Sequence, residues 1–315
     1  MVALLDRRLV FVTGKGGVGK TTIAAGLAQL AASQGRRTLL CEVDAKGHVA
    51  DAFETEPTEF TPREVAPGLW AMSMNTEASL REYLGLQLKL PLLSRIGPLA
   101  RTFDFVANAA PGVKEILVVG KLAYEVRERH YDIVVVDAAA SGHIVGQLAA
   151  PQAINELVRV GTVRDQTGWM LEILSDPAQT GVVVVATPEE MPVNETLELS
   201  ARLAEETTVD LAAVVVNRVL PELFTRGEEE LFRELRTPEG TAALREAVGG
   251  EVDVVLDGAE LAVRMRRTRA EHLADLRAGL PPGVDLLYVP ELFQRTHGVR
   301  ATAKIAEALG AELGY

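Results

Sequence analysis

A glycine-rich segment near the start of the chain constrains its fold more than any other feature. The segment runs from Gly14 to Thr22, reads GKGGVGKTT and fits the phosphate-binding pattern G-x-x-x-x-G-K-[ST]. An apolar run, Leu9–Thr13, precedes it, and an Ala- and Leu-rich stretch, Thr21–Ser33, follows it and is closed by Gly35. A strand, a glycine loop and a helix in this order favour a nucleotide phosphate site, because backbone N–H groups and the start of a helix attract an anion.

Composition narrows the class of protein. The chain has 315 residues, which is long for a single core, so we expect one large α/β domain, residues 1–315, that carries a helical insertion. There are 44 acidic and 32 basic residues, and the resulting net charge of -12 argues against a general nucleic-acid surface. We therefore expect no nucleic-acid partner.

Neither a disulfide framework nor a membrane span is expected. The one cysteine, Cys41, lies in an apolar run, and a single thiol excludes a disulfide framework and a Cys-x-x-Cys zinc site within one chain. No apolar run reaches the roughly 18 residues of a membrane span. The segment Met1–Asp6 lacks the basic start and long apolar region of a signal peptide. We expect a cytoplasmic protein that is not an integral membrane protein.

Short apolar runs alternate with helical stretches along the chain. Runs that are apolar on both faces and separated by helices indicate a mostly parallel sheet covered on both sides, which is a doubly wound α/β fold. Together with the glycine loop, this pattern predicts the fold of a P-loop nucleotide-binding domain. The predicted strands are Leu9–Thr13, Thr38–Val43, Leu69–Met74, Ile133–Asp137, Gly181–Thr187, Leu211–Asn217 and Asp285–Val289.

Polar residues follow or end several of these runs. Asp44 comes after the second run, Asp137 ends the fourth, and Asn217 ends the sixth. Ligands of such sheets bind at the carboxyl ends of the strands. The sequence therefore predicts one site that contains these three residues and the glycine loop.

The interval between Met74 and Ile133 is too long for one crossover helix, and it predicts a helical insertion over residues 75–130. The insertion is rich in Leu, Val, Phe and Ala, so it is either a satellite core or an apolar surface for a client. Both interpretations remain open. The predicted helical pieces are one from Leu80 broken at Pro91, then Leu99–Ala109 and Val113–Arg129, with further helical regions at Ala153–Leu174 and Glu222–Leu280.

With these motifs in hand, the chain resembles the deviant Walker-A ATPases, also called the SIMIBI class. Within that class it resembles the anion-transporting ATPase family, which includes the arsenite-pump ATPase and the ATPase that targets tail-anchored membrane proteins, and it is most similar to actinobacterial members. The segments that carry the resemblance are the glycine loop with Lys15, Asp44–Phe53 against DPAHNLSDAF, Asp137–His143 against DTAPTGH, Pro188–Thr196, and Val215–Arg218 with Val289–Leu292.

The chain also departs from the family pattern. Ala45 and His48 replace the Pro and Asn of the first switch, and Ala138, Ala140 and Ser141 replace Thr, Pro and Thr of the second. The metalloid-binding cysteines of the arsenite pump and the zinc-binding Cys-x-x-Cys of the targeting factor are absent. Arsenite binding is therefore not expected.

The loop predicts a site for the phosphates of ATP, with Lys20 supplying a full positive charge. Thr21 and Asp137 are expected to hold Mg²⁺, which prefers oxygen ligands. The alternative for Asp137 is a structural carboxylate that caps the next turn. The predicted phosphate-binding residues are Gly14, Lys15, Gly16, Gly17, Val18, Gly19, Lys20, Thr21 and Thr22.

The resemblance implies further roles. Lys15 would reach the γ-phosphate of a partner subunit, and Asp44 would orient the attacking water. Gly142 would donate a backbone N–H to the γ-phosphate, whereas Asn217, Pro290 and Leu292 would lie beside the adenine. The plainer alternatives are an exposed lysine at Lys15 and an N-cap of the following helix at Asp44.

The combined expectation is a Mg²⁺-dependent ATPase that works as a nucleotide-gated dimer and binds and releases a hydrophobic or membrane-associated client. Because the arsenite pump is a tandem of two such units, this chain is expected to form a homodimer or a heterodimer with a paralogue. One alternative is a nucleotide-binding regulatory or scaffold subunit with weak turnover. Another is a partition or division-site positioning ATPase, which the C-terminus fits poorly because it has one lysine and two glutamates after Ala303.

Overall fold

A computed structural model of the chain describes residues 2–44, 46–88, 112–158, 160–222, 224–293 and 298–315. Most of the strands are followed by a helix. The strands are β1 (Leu9–Gly14), β2 (Thr38–Glu42), β3 (Arg63–Ala66), β4 (Leu69–Ser73), β5 (Ile133–Asp137), β6 (Thr180–Ala186), β7 (Leu211–Val219) and β8 (Asp285–Pro290).

The helices fall before, between and after these strands. A short 3₁₀ helix, Leu4–Asp6, precedes β1. The α-helices are α1 (Lys20–Ser33), α2 (His48–Phe53), α3 (Thr76–Leu88), α4 (Val113–Arg127), α5 (Ser141–Leu157), α6 (Thr162–Ser175), α7 (Glu190–Glu206), α8 (Arg226–Leu235), α9 (Pro238–Val248), α10 (Asp253–Gly279) and α11 (Val299–Leu313).

The strands form one 8-stranded sheet in the order β3-β4-β2-β5-β1-β6-β7-β8. Every pairing between described strands is parallel except β3 with β4. This sheet confirms the prediction of a doubly wound, mostly parallel α/β fold. The sequence missed β3 because Arg63–Ala66 is an exposed edge strand without the apolar run of the inner strands.

Helices cover both faces of the sheet, and β1 shows how. Leu9 and Phe11 enter a core shared with α4, α5, α6 and α7, whereas Val10 and Val12 enter a second core shared with α1 and α11. Side chains of a strand alternate between faces, so a strand buried on both faces must be apolar throughout. All six residues of β1 are buried accordingly.

The predicted boundaries hold with small shifts. The strand that ends at Asp137 is the fifth, because β3 precedes it, and Asn217 lies within β7 instead of at its end. Ala153–Leu174 contains the end of α5 and most of α6, and Glu222–Leu280 contains α8, α9 and α10.

The insertion is described only at its two ends, α3 and α4. The predicted break at Pro91 and the predicted helix Leu99–Ala109 lie outside the described residues. The insertion over residues 75–130 therefore stays a prediction.

Candidate nucleotide-binding site

The glycine loop connects β1 to α1. Two of its positions require glycine, because other atoms lie too close to leave room for a side chain. A Cβ atom on Gly14, whose φ is 143°, would lie 2.2 Å from the carbonyl oxygen of Val185 on β6. A Cβ atom on Gly19, whose φ is 95°, would lie 2.4 Å from Nδ2 of Asn217. Glycine is the residue that combines a positive φ with such contacts.

Lys20 is the first residue of α1 and faces a cavity. Its ammonium donates a hydrogen bond to the carbonyl oxygen of Lys15 at 3.1 Å. Burial lowers the pKa of Lys20, whereas the nearby carboxylates of Asp137 and Asp44 raise it. Lys20 is thus a partly desolvated cation beside two acidic groups, which suits it to contact a multiply charged anion.

Thr21 and Asp137 form the centre of the site. Thr21 Oγ1 donates to Asp137 Oδ2 at 2.6 Å, and Asp137 is 7% exposed at the end of β5. Burial raises the pKa of Asp137 from 3.8 to about 6; Glu42 adds to the rise, and Thr21 and Lys20 oppose it. Burial disfavours the ionised form of this carboxylate, and a cation bound beside it stabilises that form. The hydroxyl and carboxylate oxygens fit Mg²⁺, which takes few protein ligands and keeps several waters.

A cavity of about 690 Å³ lies over this centre. It brings together most of the predicted site residues. They come from the glycine loop, from the carboxyl ends of β2 and β5, from β7, and from the end of β8 and the residues after it. Those that line it are Gly16, Gly17, Gly19, Lys20, Thr21, Thr22, Asp44, Asp137, Asn217, Pro290 and Leu292.

The other four predicted residues do not line this cavity. Gly14 packs against β6, and Val18 is buried, with 2% of its surface exposed. Gly142 is exposed in the first turn of α5. The side chain of Lys15 turns aside to pair with Glu195 on α7.

Asn217 supports the loop in a way that the sequence did not predict. Its Nδ2 donates to the carbonyl oxygen of Val18 at 2.9 Å, and its Oδ1 accepts from the backbone N–H of Arg218 at 3.0 Å. The amide thus holds the glycine loop against β7. The predicted contact of Asn217 with adenine stays a prediction.

Two glutamates of the site were also missed. Glu195 binds Lys15 and accepts a hydrogen bond from Ser141 Oγ at 3.4 Å, and Glu42 is buried at the end of β2. Glu195 lies within Pro188–Thr196, a segment noted only for its resemblance. Glu42 lies inside an apolar run, and a charged residue in such a run was the signal from which it could have been identified.

Comparison with known proteins identifies the family. The sequence signature described as "Anion-transporting ATPase" matches residues 7–171 and 159–237. The chain belongs to the anion-transporting ATPase family. This membership confirms the predicted family and agrees with the predicted fold.

Relatives in this family differ in how much of them the chain covers. ATPase BagA of Mycobacterium tuberculosis is 33% identical over an alignment of 225 residues, and the match covers 68% of this chain and 66% of that protein. ATPase ASNA1 homolog 1 of Paramecium tetraurelia is 26% identical over 257 residues, 67% of this chain and 74% of that protein. A protein of Halobacterium salinarum with "arsenical pump-driving ATPase" in its name is 27% identical over 299 residues, 88% of this chain but 44% of its own length.

Each of these relatives is named an ATPase, in agreement with the predicted ATP hydrolase. Within the residues that the structure describes, no helix has the length and apolar character needed to span a bilayer.

Proposed function

We propose that this member of the family is a Mg²⁺-dependent ATPase that hydrolyses ATP to ADP and phosphate. The hydrogen bond of 2.6 Å between Thr21 Oγ1 and Asp137 Oδ2 carries the proposal. It brings two oxygen ligands suited to Mg²⁺ to the base of a cavity whose wall is the glycine loop. A cavity of about 690 Å³ is within the usual size of a small-molecule site.

The residues around the cavity have complementary tasks in this proposal. Backbone N–H groups of the loop and the ammonium of Lys20 bind the phosphates, while Thr21 and Asp137 hold the metal. Mg²⁺, when bound, neutralises charge on the phosphoryl oxygens. Asp44, whose side chain is 51% exposed, orients the attacking water, for which position matters more than basicity.

A nucleotide-gated dimer, either of two copies or with a paralogue, is the second part of the proposal. The support is the direction of Lys15, whose ammonium pairs with Glu195 and does not line the cavity of its own chain. A lysine turned away from its own cavity can reach a neighbouring subunit that approaches the loop once its pair with Glu195 is broken. In that position it would add positive charge only when two subunits close.

A hydrophobic or membrane-associated client is the third part. Among the described residues, a second cavity of about 520 Å³ lies between α3, α4 and α6. Apolar side chains, including Leu80, Ile116, Leu117, Trp169 and Met170, make up much of its lining. Mass spectrometry of apolar segments and lipids that co-purify with the chain would test this part, and recovery of DNA instead would favour a positioning ATPase.

Steady-state ATP hydrolysis tests the enzymatic part. We expect the wild type to release phosphate in the presence of Mg²⁺, and Lys15→Ala and Asp44→Asn to be at least about a hundredfold slower. A wild type no faster than either variant would refute hydrolysis. If the wild type still binds ATP under those conditions, the alternative of a regulatory subunit with weak turnover gains support.

A further inference from the structure

Glu42 ends β2 with a buried carboxylate that the proposed chemistry does not use. The residue is 1% exposed, and it forms no ion pair with any described residue. Its Oε2 accepts from the backbone N–H of Gly47 at 3.2 Å, and its Oε1 accepts from the backbone N–H of His48 at 3.0 Å. Ser73 Oγ donates to Oε2 at 3.3 Å. A carboxylate removed from water is tolerated when it accepts several hydrogen bonds, and these donors supply them.

The two backbone donors belong to the start of α2. The first N–H groups of a helix have no partners within the helix, and Gly47, which precedes it, has no side chain that could cap it. Glu42 reaches these groups from a neighbouring strand end and replaces the missing cap. The carboxylate therefore fixes where α2 begins relative to β2.

Between these two elements lies the loop that carries Asp44. The loop is tied at its start by the N–H of Val43, which donates to the carbonyl oxygen of Asp137 at 3.1 Å. It is tied at its end by Glu42 through Gly47 and His48. The carboxylate of Asp44 lies 3.4 Å from Lys46 Nζ and is half-exposed. The position of Asp44 over the cavity thus depends on the two ties.

The second tie uses both oxygens of the Glu42 carboxylate as acceptors. Each oxygen accepts from a different backbone N–H. A glutamine at this position keeps one acceptor oxygen but turns an NH₂ group toward the other N–H donor. The end of the loop would then lose one hydrogen bond and gain a repulsive contact.

We propose that Glu42 is a positioning residue for ATP hydrolysis, which fixes the Asp44 loop by binding the backbone N–H groups of Gly47 and His48. The inference rests on the proposed function. Glu42 is one of the residues that line the cavity, yet in this proposal it acts through the loop and leaves binding of ATP and Mg²⁺ to other residues. A change at Glu42 is therefore expected to alter kcat and to leave the binding constants for ATP and Mg²⁺ nearly unchanged.

The test compares Glu42→Gln with Glu125→Gln. Glu125 is a matched control because it is also a buried glutamate, 4% exposed, but it pairs with Lys121 and His130 on the helical layer. We expect Glu42→Gln to lower kcat by roughly tenfold or more relative to Glu125→Gln, with the KM for ATP and the half-saturating Mg²⁺ concentration changed by less than about threefold. Backbone amide exchange at residues 47–48 should be faster in Glu42→Gln only.

Each other outcome has a distinct meaning. A kcat equal to that of Glu125→Gln, or unchanged amide exchange, would overturn the inference. A rise in KM or Mg²⁺ requirement that matches the loss of kcat would also overturn it, because Glu42 would then bind ligand directly. A wild type without turnover above Lys20→Ala would refute the proposed function, while amide exchange still tests the tie. If Glu42→Gln does not fold, Glu42→Asp, which retracts the carboxylate by one methylene, takes its place with the same expectations.

Discussion

Lys15 and Glu195 form an ion pair that joins the glycine loop to α7. Ser141, the first residue of α5, donates to the other oxygen of the same carboxylate at 3.4 Å. One glutamate therefore connects three elements at the site: the loop, the helix after Asp137 and α7. Any movement of Lys15 toward a neighbouring subunit has to break this pair first.

Glu195→Gln should raise kcat in the proposed dimer, because it removes a carboxylate that competes for Lys15. The pair is partly exposed, with side chains 26% and 35% accessible, so its net contribution is up to about 1 kcal/mol and the rise at most about fivefold. Phosphate release at saturating ATP and Mg²⁺ measures it, and Lys15→Ala combined with Glu195→Gln is the control that should abolish the gain. A loss of activity as deep as that of Lys15→Ala would instead mean that Glu195 orients the lysine for its task.

Asp137→Asn should stabilise the protein in the absence of Mg²⁺ while it abolishes hydrolysis. The folded-state pKa of Asp137, about 6, lies above its ordinary value of 3.8. The protonated side chain therefore contributes its full stability to the fold below about pH 3.8, and this contribution is lost as the pH rises through about 6. A shift of this size corresponds to roughly 3 kcal/mol of unfolding free energy at neutral pH, as an upper value.

Urea denaturation of the wild type and Asp137→Asn, without metal and between about pH 4 and pH 8, measures that difference. The two curves should converge at the acidic end and separate as pH rises, with the asparagine variant more stable. A variant that is less stable than the wild type at the alkaline end would contradict the burial of an ionised Asp137. Addition of Mg²⁺ with ATP should raise the stability of the wild type more than that of Asp137→Asn, which keeps the phosphate-binding loop but lacks one proposed ligand of Mg²⁺.

Gly19→Ala should destabilise the loop, because its Cβ would meet Asn217 Nδ2 and its φ of 95° disfavours any side chain. We expect a loss of about 1–3 kcal/mol in unfolding free energy. Gly16→Ala is the matched control, since nothing lies within 4 Å of its Cβ position and its φ is not positive. Asn217→Ala should cost less in the Gly19→Ala background than in the wild type, because the added Cβ already disturbs the hydrogen bond of Asn217 to Val18 there. If Gly16→Ala costs as much as Gly19→Ala, steric contact is not the cause.

The sequence predicted the fold and most of the cavity lining because each depends on local pattern. The strand, loop and helix around Gly14 and the apolar runs that end near Asp44 and Asp137 follow from periodicity and turn chemistry, which are local properties. Arg63–Ala66 has neither signal, since an edge strand is recognised by its neighbour in space.

The contacts of Glu42, Glu195 and Asn217 could not be predicted for a related reason. Glu195 contacts Lys15, which is 180 positions away in the sequence, and Asn217 contacts Val18, which is 199 positions away. Such pairings follow from sheet order. Glu42 contacts Gly47 and His48, which are only 5 and 6 positions away, but across the connection between β2 and α2, where no periodic pattern applies. Glu42 and Asp137 are partners in the register of β2 and β5, which no local pattern reveals. A charge within an apolar run indicates only that a partner must exist.

Thr21→Val should weaken the binding of Mg²⁺ and leave the binding of the nucleotide nearly unchanged. Removal of the hydroxyl takes away the donor to Asp137 and one proposed ligand of Mg²⁺, while the loop backbone that faces the phosphates stays intact. We expect the half-saturating Mg²⁺ concentration to rise and kcat to fall by about a hundredfold, with ATP affinity in the absence of metal nearly unchanged. Thr21→Ser is the matched control, because it keeps the hydroxyl and loses only a methyl group. Titration of Mg²⁺ at fixed ATP, monitored by phosphate release, distinguishes the two variants, and equal losses in both would show that packing of the threonine methyl, not ligation, governs this position.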